Sequence, residues 1–318
     1  MTHVHIREVG LRDGLQLVKT LVPAEVKLEW FNDAAAAGVP EIEVTSFVPS
    51  HVIPQFADAD AVMRGAMGRS GTLASALAVN LKGAQRAYDL GVAKLNYVVS
   101  ASEEHSLSNV RRTPAVAMEA FYAMVAERKE RGLEGSVELS CGVATSFGCS
   151  LQGEVAQDEV VRLAVSAAEA GADEIMIADT VGFADPVRVR TLFKAVRDAV
   201  GDIPVAAHFH DTRGLGLANV LAAVEVDIHR FDASLGGLGG CPFAPGATGN
   251  INTEDTVYLL ETMGLSTGID LEALLALRAK LPGWLPNERI GGSVQRAGIP
   301  HLPKSFPSLA RAMADPVA

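Results

Sequence analysis

Val4-His5-Ile6-Arg7-Glu8-Val9-Gly10-Leu11-Arg12-Asp13-Gly14 is the stretch that separates two fold classes. Its first half, residues 4–9, reads as a short β-branched strand. An open doubly wound sheet would normally lead its first strand into a Gly-x-Gly-x-x-Gly phosphate turn. This strand leads into Leu11-Arg12-Asp13-Gly14 instead. Downstream, further strands are predicted at 41–47, 72–79, 94–99, 137–145, 174–178, 204–209 and 230–235. Helices are predicted between them at 24–37, 56–67, 81–90, 115–131, 158–170, 186–200 and 217–226, with an eighth at 253–263. A longer loop is expected before 115. Pro23 suits a first helical turn, and Gly38, Gly91, Gly132 and Gly171 suit left-handed helix ends. Eight strand–helix units in about 265 residues match the size of a closed (β/α)8 TIM barrel. The predicted class is therefore α/β, with a catalytic barrel at 1–282 and a C-terminal helical and loop extension at 283–318. A helix is expected at 271–280, and the extension suits a lid, an oligomer contact or a loose tail.

Composition narrows the function. The chain of 318 residues carries 27 basic and 38 acidic side chains, a net charge of −11. That argues against a nucleic-acid surface, which needs a basic stripe. No run approaches the roughly 20 apolar residues of a membrane span, and the N-terminus lacks a secretory pattern. Three cysteines are too few for a disulfide scaffold and fit a reducing cytoplasm.

In a barrel, chemistry gathers where the strands end and the following loops begin. Arg12 and Asp13 follow the first strand, and Glu43 with Thr45-Ser46 lies on the second. Asp179-Thr180 closes the sixth, and His208, His210 and Asp211 close the seventh. Cys241 and Asn250 lie in the loop after the eighth, so all of these fall at one rim. His208-Phe209-His210 places two imidazoles two residues apart, hence on the same face of a strand. Alone, such a pair reads more readily as structural, one histidine satisfied in the core and the other capping a helix. With Asp13 and Asn250 at the same rim, two nitrogens and two oxygens suit Mg²⁺, Mn²⁺ or Co²⁺ better than a thiolate-rich zinc site. Arg12 at a barrel mouth calls for an anion, a developing oxyanion, or an ion pair with Glu43 or Asp179. Cys241, in Gly236-Gly237-Leu238-Gly239-Gly240-Cys241-Pro242, suits either a mobile acid/base thiol or a small apolar turn residue. Cys141 and Cys149 read as structural.

Six ordered segments give these residues a family resemblance. They are Glu8-Val9-Gly10-Leu11-Arg12-Asp13-Gly14-Leu15-Gln16, Ile42-Glu43-Val44-Thr45-Ser46-Phe47-Val48, Asn80-Leu81-Lys82-Gly83, Asp179-Thr180-Val181-Gly182, His208-Phe209-His210-Asp211-Thr212 and the stretch from Gly237 to Asn250. Over roughly residues 4–265 the chain resembles the hydroxymethylglutaryl-CoA lyases among the DRE-type metal-dependent TIM-barrel lyases and synthases. The resemblance implies retro-Claisen cleavage of a 3-hydroxy-3-methylglutaryl thioester to acetyl-CoA and acetoacetate. It assigns Asp13, His208, His210 and Asn250 to a divalent cation, Mg²⁺ or Mn²⁺. Arg12 is assigned to the enolate oxygen, Cys241 to protonation of the enolate carbon, and Glu43 and Asp179 to orienting Arg12 and the ligands. Lys19 falls near the CoA entrance, and Arg12, Lys19 and Gln16 are assigned to substrate binding. An acyl-CoA substrate and a homodimer follow from the same resemblance.

The match has departures. Leu11 stands where the family usually has Pro, and Ser150, Leu151 and Gln152 replace a Pro-aromatic-Glu ending after the fifth strand. The Arg-Gly-Tyr run that usually precedes that ending is missing. A related substrate, citramalyl-CoA or a longer-branched glutaryl-CoA, is therefore the alternative. Isopropylmalate- and homocitrate-type synthases share Arg-Asp-Gly and His-x-His but carry Glu-Arg where this chain has Gly-Cys-Pro. A carboxyltransferase would want a lysine suited to carbamylation, and no clear candidate stands out.

Overall fold

A computed structural model describes residues 2–240 and 248–300. Eight strands pair in chain order and all in parallel, and the last closes on the first: β1 (His5–Glu8), β2 (Glu41–Ser46), β3 (Leu73–Leu77), β4 (Lys94–Ser100), β5 (Glu138–Ala144), β6 (Glu174–Asp179), β7 (Val205–Phe209) and β8 (Arg230–Ala233). Outside them lie α1 (Ala24–Ala36), α2 (Ala59–Ala66), α3 (Leu81–Leu90), α4 (Glu103–Val110), α5 (Pro114–Glu130), α6 (Gln157–Ala170), α7 (Pro186–Val200), α8 (Gly216–Val224), α9 (Thr253–Thr262) and α10 (Leu271–Arg278). The architecture is the expected TIM barrel, and Gly38, Gly91, Gly132 and Gly171 all have positive φ. Among the described residues, no helix is long and apolar enough to cross a membrane.

Two expectations about helices needed correction. The segment read as a loop before 115 holds α4, which Ser102 caps by accepting a hydrogen bond from the His105 N–H at 3.1 Å. The single helix read at 56–67 is a 3₁₀ turn, Pro54–Phe56, followed by α2. Residues 283–300, the described part of the extension, lie against the barrel. Trp284 stacks on Trp30 with ring centroids 6.1 Å apart. The Gly291 N–H donates to Gly236 O at 2.7 Å, and the Ser293 and Val294 N–H groups donate to Asp255.

Strand alternation sorts the side chains. On β7, Phe209 packs outward against Phe193 of α7, ring centroids 5.9 Å apart, while His208 and His210 on either side turn inward. The interior departs from the aliphatic layers usual in such barrels. Arg7 of β1 lies in register with Glu41 on β2 and Asp232 on β8. Its guanidinium donates to Asp232 (2.7 Å), Glu174 (2.9 Å), Asn96 (3.1 Å) and Glu41 (3.3 Å). Lys94 donates to Glu41 at 3.0 Å and Glu174 at 3.3 Å. Burial works against the Arg7 charge, but Asp232, Glu174 and Glu41 outweigh it and raise its pKa further. This buried ionic layer forms the floor beneath the site.

Candidate metal centre

β1 ends in a wide turn, Gly10–Gly14, in which the Gly14 N–H donates to Val9 O five residues back at 3.1 Å. Such π-type turns recur at functional sites because the extra residue re-aims side chains. Glycine is needed at position 10, where a Cβ would stand 2.4 Å from Glu8 Oε1 and 2.7 Å from the Trp30 ring. The turn delivers Arg12 and Asp13 together. Arg12 Nε donates to Glu43 Oε2 at 2.5 Å and Arg12 Nη1 donates to Asp13 Oδ1 at 2.8 Å. Glu43 is held in turn by Asn96 Nδ2 at 2.8 Å.

The other side of the mouth comes from β7 and the chain returning after β8. His210 and Asn250 form a β-bridge that brings residue 250 beside the histidine pair. Asn250 Nδ2 donates to Asp13 Oδ2 at 2.7 Å and to Leu238 O at 2.9 Å. Gly239 makes room for this amide: φ there is +119°, and a Cβ would stand 2.5 Å from Asn250 Nδ2. Donor atoms of Asp13, His208 and His210 lie within 4.8 Å of one another. The two Nε2 atoms of His208 and His210 face each other at 3.1 Å. His210 Nδ1 and Asn250 Oδ1 are buried with no hydrogen-bond partner among the described residues.

These observations fit a divalent cation. Two imidazole nitrogens this close repel through their lone pairs unless a proton or a cation lies between them. An unsatisfied buried amide oxygen beside them is a further donor, costly to leave unpaired. Two nitrogens, a carboxylate and an amide oxygen form the mixed set that hard or borderline divalent ions take. Electrostatics agrees. Burial tends to raise the Asp13 carboxyl pKa, but Arg12 and the two histidines pull it below the ordinary value. Burial pushes His210 down to about 3, so its imidazole is neutral at pH 7 and available as a ligand. Burial works against the charged form of His208 as well, but Asp232 and Asp13 outweigh it and raise its pKa. The site thus keeps a carboxylate and one neutral imidazole ready, and His208 gives up a proton when it binds a cation.

The remaining expected residues divide. Glu43 meets Arg12, as one of the alternatives had it. Asp179 does not reach Arg12; its oxygens accept from the Phe183 N–H (2.7 Å) and the Ala184 N–H (3.1 Å), folding the loop after β6 back on the strand. Burial pushes its carboxyl up to about 6. Gln16 is half-buried just past the turn, its N–H donating to Asp13 O at 3.3 Å, and Lys19 is exposed. Cys241 lies outside the described residues. Cys141 and Cys149 are buried, and burial pushes the Cys141 thiol up to about 12.

Sequence reading missed three supporting residues. Asp232 of β8 lies 3.0 Å from His208 Nδ1, and Asn96 holds Glu43. Glu8, fully buried, accepts from the Gly10 N–H (2.8 Å), the Leu235 N–H (3.1 Å) and the Thr253 hydroxyl, tying the first turn to the loop after β8. Alternation alone offers two phases for each strand, and the pairing register, which puts Arg7 and Asp232 on the inward one, is not written in the sequence.

Burial raises the Glu8 carboxyl from 4.5 to about 8. The folded protein thus keeps a proton that the unfolded chain loses as pH climbs past 4.5. The stability tied to that proton is complete below 4.5 and is lost as pH rises toward 8. The slope approaches about 1.4 kcal/mol per pH unit for one group. Glu8→Gln mimics the protonated form, with its amide placed to donate to Thr253. Denaturant titrations from pH 5 to pH 8 should show the variant gaining on the wild type; parallel stability curves would refute the protonated state.

The HMGL-like family profile matches residues 3–280. The chain is similar to a hydroxymethylglutaryl-CoA lyase of Bacillus subtilis, 38% identical over 273 residues, 86% of this chain and 90% of that one. It is also similar to an (R)-citramalyl-CoA lyase of Chloroflexus aurantiacus, 38% identical over 286 residues, 87% of this chain and 89% of that one. Among solved structures, an HMG-CoA lyase from Acinetobacter baumannii in complex with coenzyme A and 3-methylmalate superposes with a TM-score of 0.88 at 40% identity, covering 95% of this chain and 98% of that one.

Proposed function

Because the chain belongs to the HMGL-like family, we propose that it cleaves 3-hydroxy-3-methylglutaryl-CoA to acetyl-CoA and acetoacetate in a divalent-cation-dependent retro-Claisen reaction. One observation carries the reading: donor atoms of Asp13, His208 and His210 converge within 4.8 Å, with Arg12 bonded to that same Asp13. Asp13, His208, His210 and Asn250 hold the cation. When bound, Mg²⁺ or Mn²⁺ lowers the pKa of a coordinated hydroxyl and polarises a substrate oxygen.

The protein's own groups do the rest. In the cleavage the C3 hydroxyl gives its proton to solvent, its O–H electron pair becomes the C3 carbonyl of acetoacetate, and C2–C3 breaks with its electron pair left on a thioester enolate. Arg12, held by Glu43 and Asp13, presents a fixed positive charge to that enolate oxygen as it develops. Glu43 keeps Arg12 from swinging, and Asn96 keeps Glu43 in place. Asp179 shapes the loop after β6 at the same rim. Cys241 donates the proton that turns the enolate carbon into the methyl group of acetyl-CoA. Lys19 sits toward the CoA entrance, and Gln16 takes part in binding the substrate. A homodimer in the cytoplasm completes the proposal, supported by the motif resemblance and the acidic, cysteine-poor composition.

The test is a substrate screen with reductant and Mg²⁺ or Mn²⁺. Acetyl-CoA and acetoacetate should appear from 3-hydroxy-3-methylglutaryl-CoA, and a chelator should abolish the reaction until cation is restored. Release of acetyl-CoA and pyruvate from citramalyl-CoA alone would replace this reading with the activity of the Chloroflexus relative. Condensation of acetyl-CoA with a 2-keto acid would replace it with a synthase.

A further inference from the structure

We propose that Asp232, clamped by Arg7, is a positioning residue that fixes the tautomer of His208 and so turns its unprotonated Nε2 toward the cation. The inference rests on the cation reading above. Asp232 Oδ2 lies 3.0 Å from His208 Nδ1, and Asp232 Oδ1 accepts from Arg7 Nε at 2.7 Å. Arg7 and Asp232 are each 2% exposed; Arg7 Nη1 donates to Glu174, Asn96 and Glu41, and Nη2 lies 3.7 Å from Met176 Sδ. Neither residue has room to turn.

A guanidinium only donates, so whatever atom of residue 232 faces Arg7 must accept. A carboxylate accepts at both oxygens, which obliges His208 to donate from Nδ1. A neutral imidazole has one N–H, so Nε2 is then the bare nitrogen. That nitrogen is the one 3.1 Å from His210 Nε2 at the centre of the site. Carboxylate partners of this kind orient ligating histidines generally. Here the partner is itself immobilised from the barrel floor.

The clamp makes an unusual order of variants. In Asp232→Asn, Arg7 Nε holds the amide oxygen and the NH₂ is left facing His208 Nδ1. The NH₂ donates there, so the neutral imidazole carries its proton on Nε2, aimed into the cation site. Asp232→Ala removes the carboxylate without dictating a tautomer. Cation affinity should therefore fall in the order wild type, Ala, Asn, although Asn is the closer isostere. Loss of such a partner typically costs about 10–100-fold in metal affinity, and Asn should sit at or beyond the upper end.

The experiment uses the full chain, Mn²⁺ binding followed by electron paramagnetic resonance, and ¹⁵N-histidine NMR of the metal-free protein at pH 9. The supporting result is His208 protonated on Nδ1 in the wild type and on Nε2 in Asp232→Asn, with Mn²⁺ affinity lowest for Asn. An Asn variant that binds Mn²⁺ as well as Ala, or a wild-type His208 protonated on Nε2, would overturn the proposal. If Asp232→Asn does not fold, the wild-type tautomer alone decides. A wild type that binds no Mn²⁺ would sink the cation reading instead, while the NMR signature still judges the clamp.

Discussion

Arg12→Gln lowers turnover of the thioester by about 10²–10³-fold, the scale seen when one preorganised charge-stabilising donor is removed, while Mn²⁺ binding persists. Gln keeps an N–H for Glu43 and loses the charge. Because Arg12 spans Glu43 and Asp13 and is 7% exposed, its orientation is set before substrate arrives. Nothing then has to reorganise when the enolate forms, which is the condition under which a fixed charge accelerates a reaction most. Among the described residues, Arg12 is hydrogen-bonded to the cation site through Asp13 Oδ1, whereas Asn250 holds Oδ2. Steady-state kinetics should show the fall in kcat. A variant turning over within tenfold of the wild type, or one losing activity only because Mn²⁺ no longer binds, would remove Arg12 from the chemistry.

Arg7→Met should destabilise the fold by about 3–5 kcal/mol, the cost typical of stripping one partner from a buried ionic set. The guanidinium faces three carboxylates inside the barrel, and Lys94 answers for only two of them. Without Arg7, Asp232 is left with His208 alone. Methionine fills most of the volume, so the loss is chiefly electrostatic. Equilibrium unfolding in urea measures it, and Arg7→Met with Glu174→Gln should recover part of the loss. A single variant within 1 kcal/mol of the wild type, well below the range for breaking such a set, would mean that the interior charges are solvated or already neutral.

The barrel was legible because its helices carry apolar stripes and glycine ends, and because the first strand runs into Arg12-Asp13 where a nucleotide fold would need glycines. Helix α4 was not, since eight residues with little apolar periodicity resemble a polar loop; only Ser102 followed by Glu103 and Glu104 marked its start. The convergence of Asp13, His208, His210 and Asn250 was legible from position, because a barrel gathers every strand end at one rim. The second layer was not. Whether Asp232, Arg7 or Glu174 faces the axis depends on strand register, and one step either way would put each on the helix side. Asp179 shows the converse: rim position was read correctly, but its carboxylate is spent on Phe183 and Ala184, and no spacing rule reports such a bond.

The wide turn after β1 also sets how this segment can vary. Leu11 is fully buried in the apolar core, so it tolerates exchange only for an apolar residue of similar size, although its backbone and not its side chain defines the Gly14-to-Val9 closure. Shortening is another matter. Taking out one residue would convert the loop to ordinary helical spacing and swing whatever follows by about 100° around the local axis, pointing the pair at positions 12 and 13 away from the opening. Insertions and deletions that surface connections elsewhere absorb would here disarm the enzyme without unfolding it.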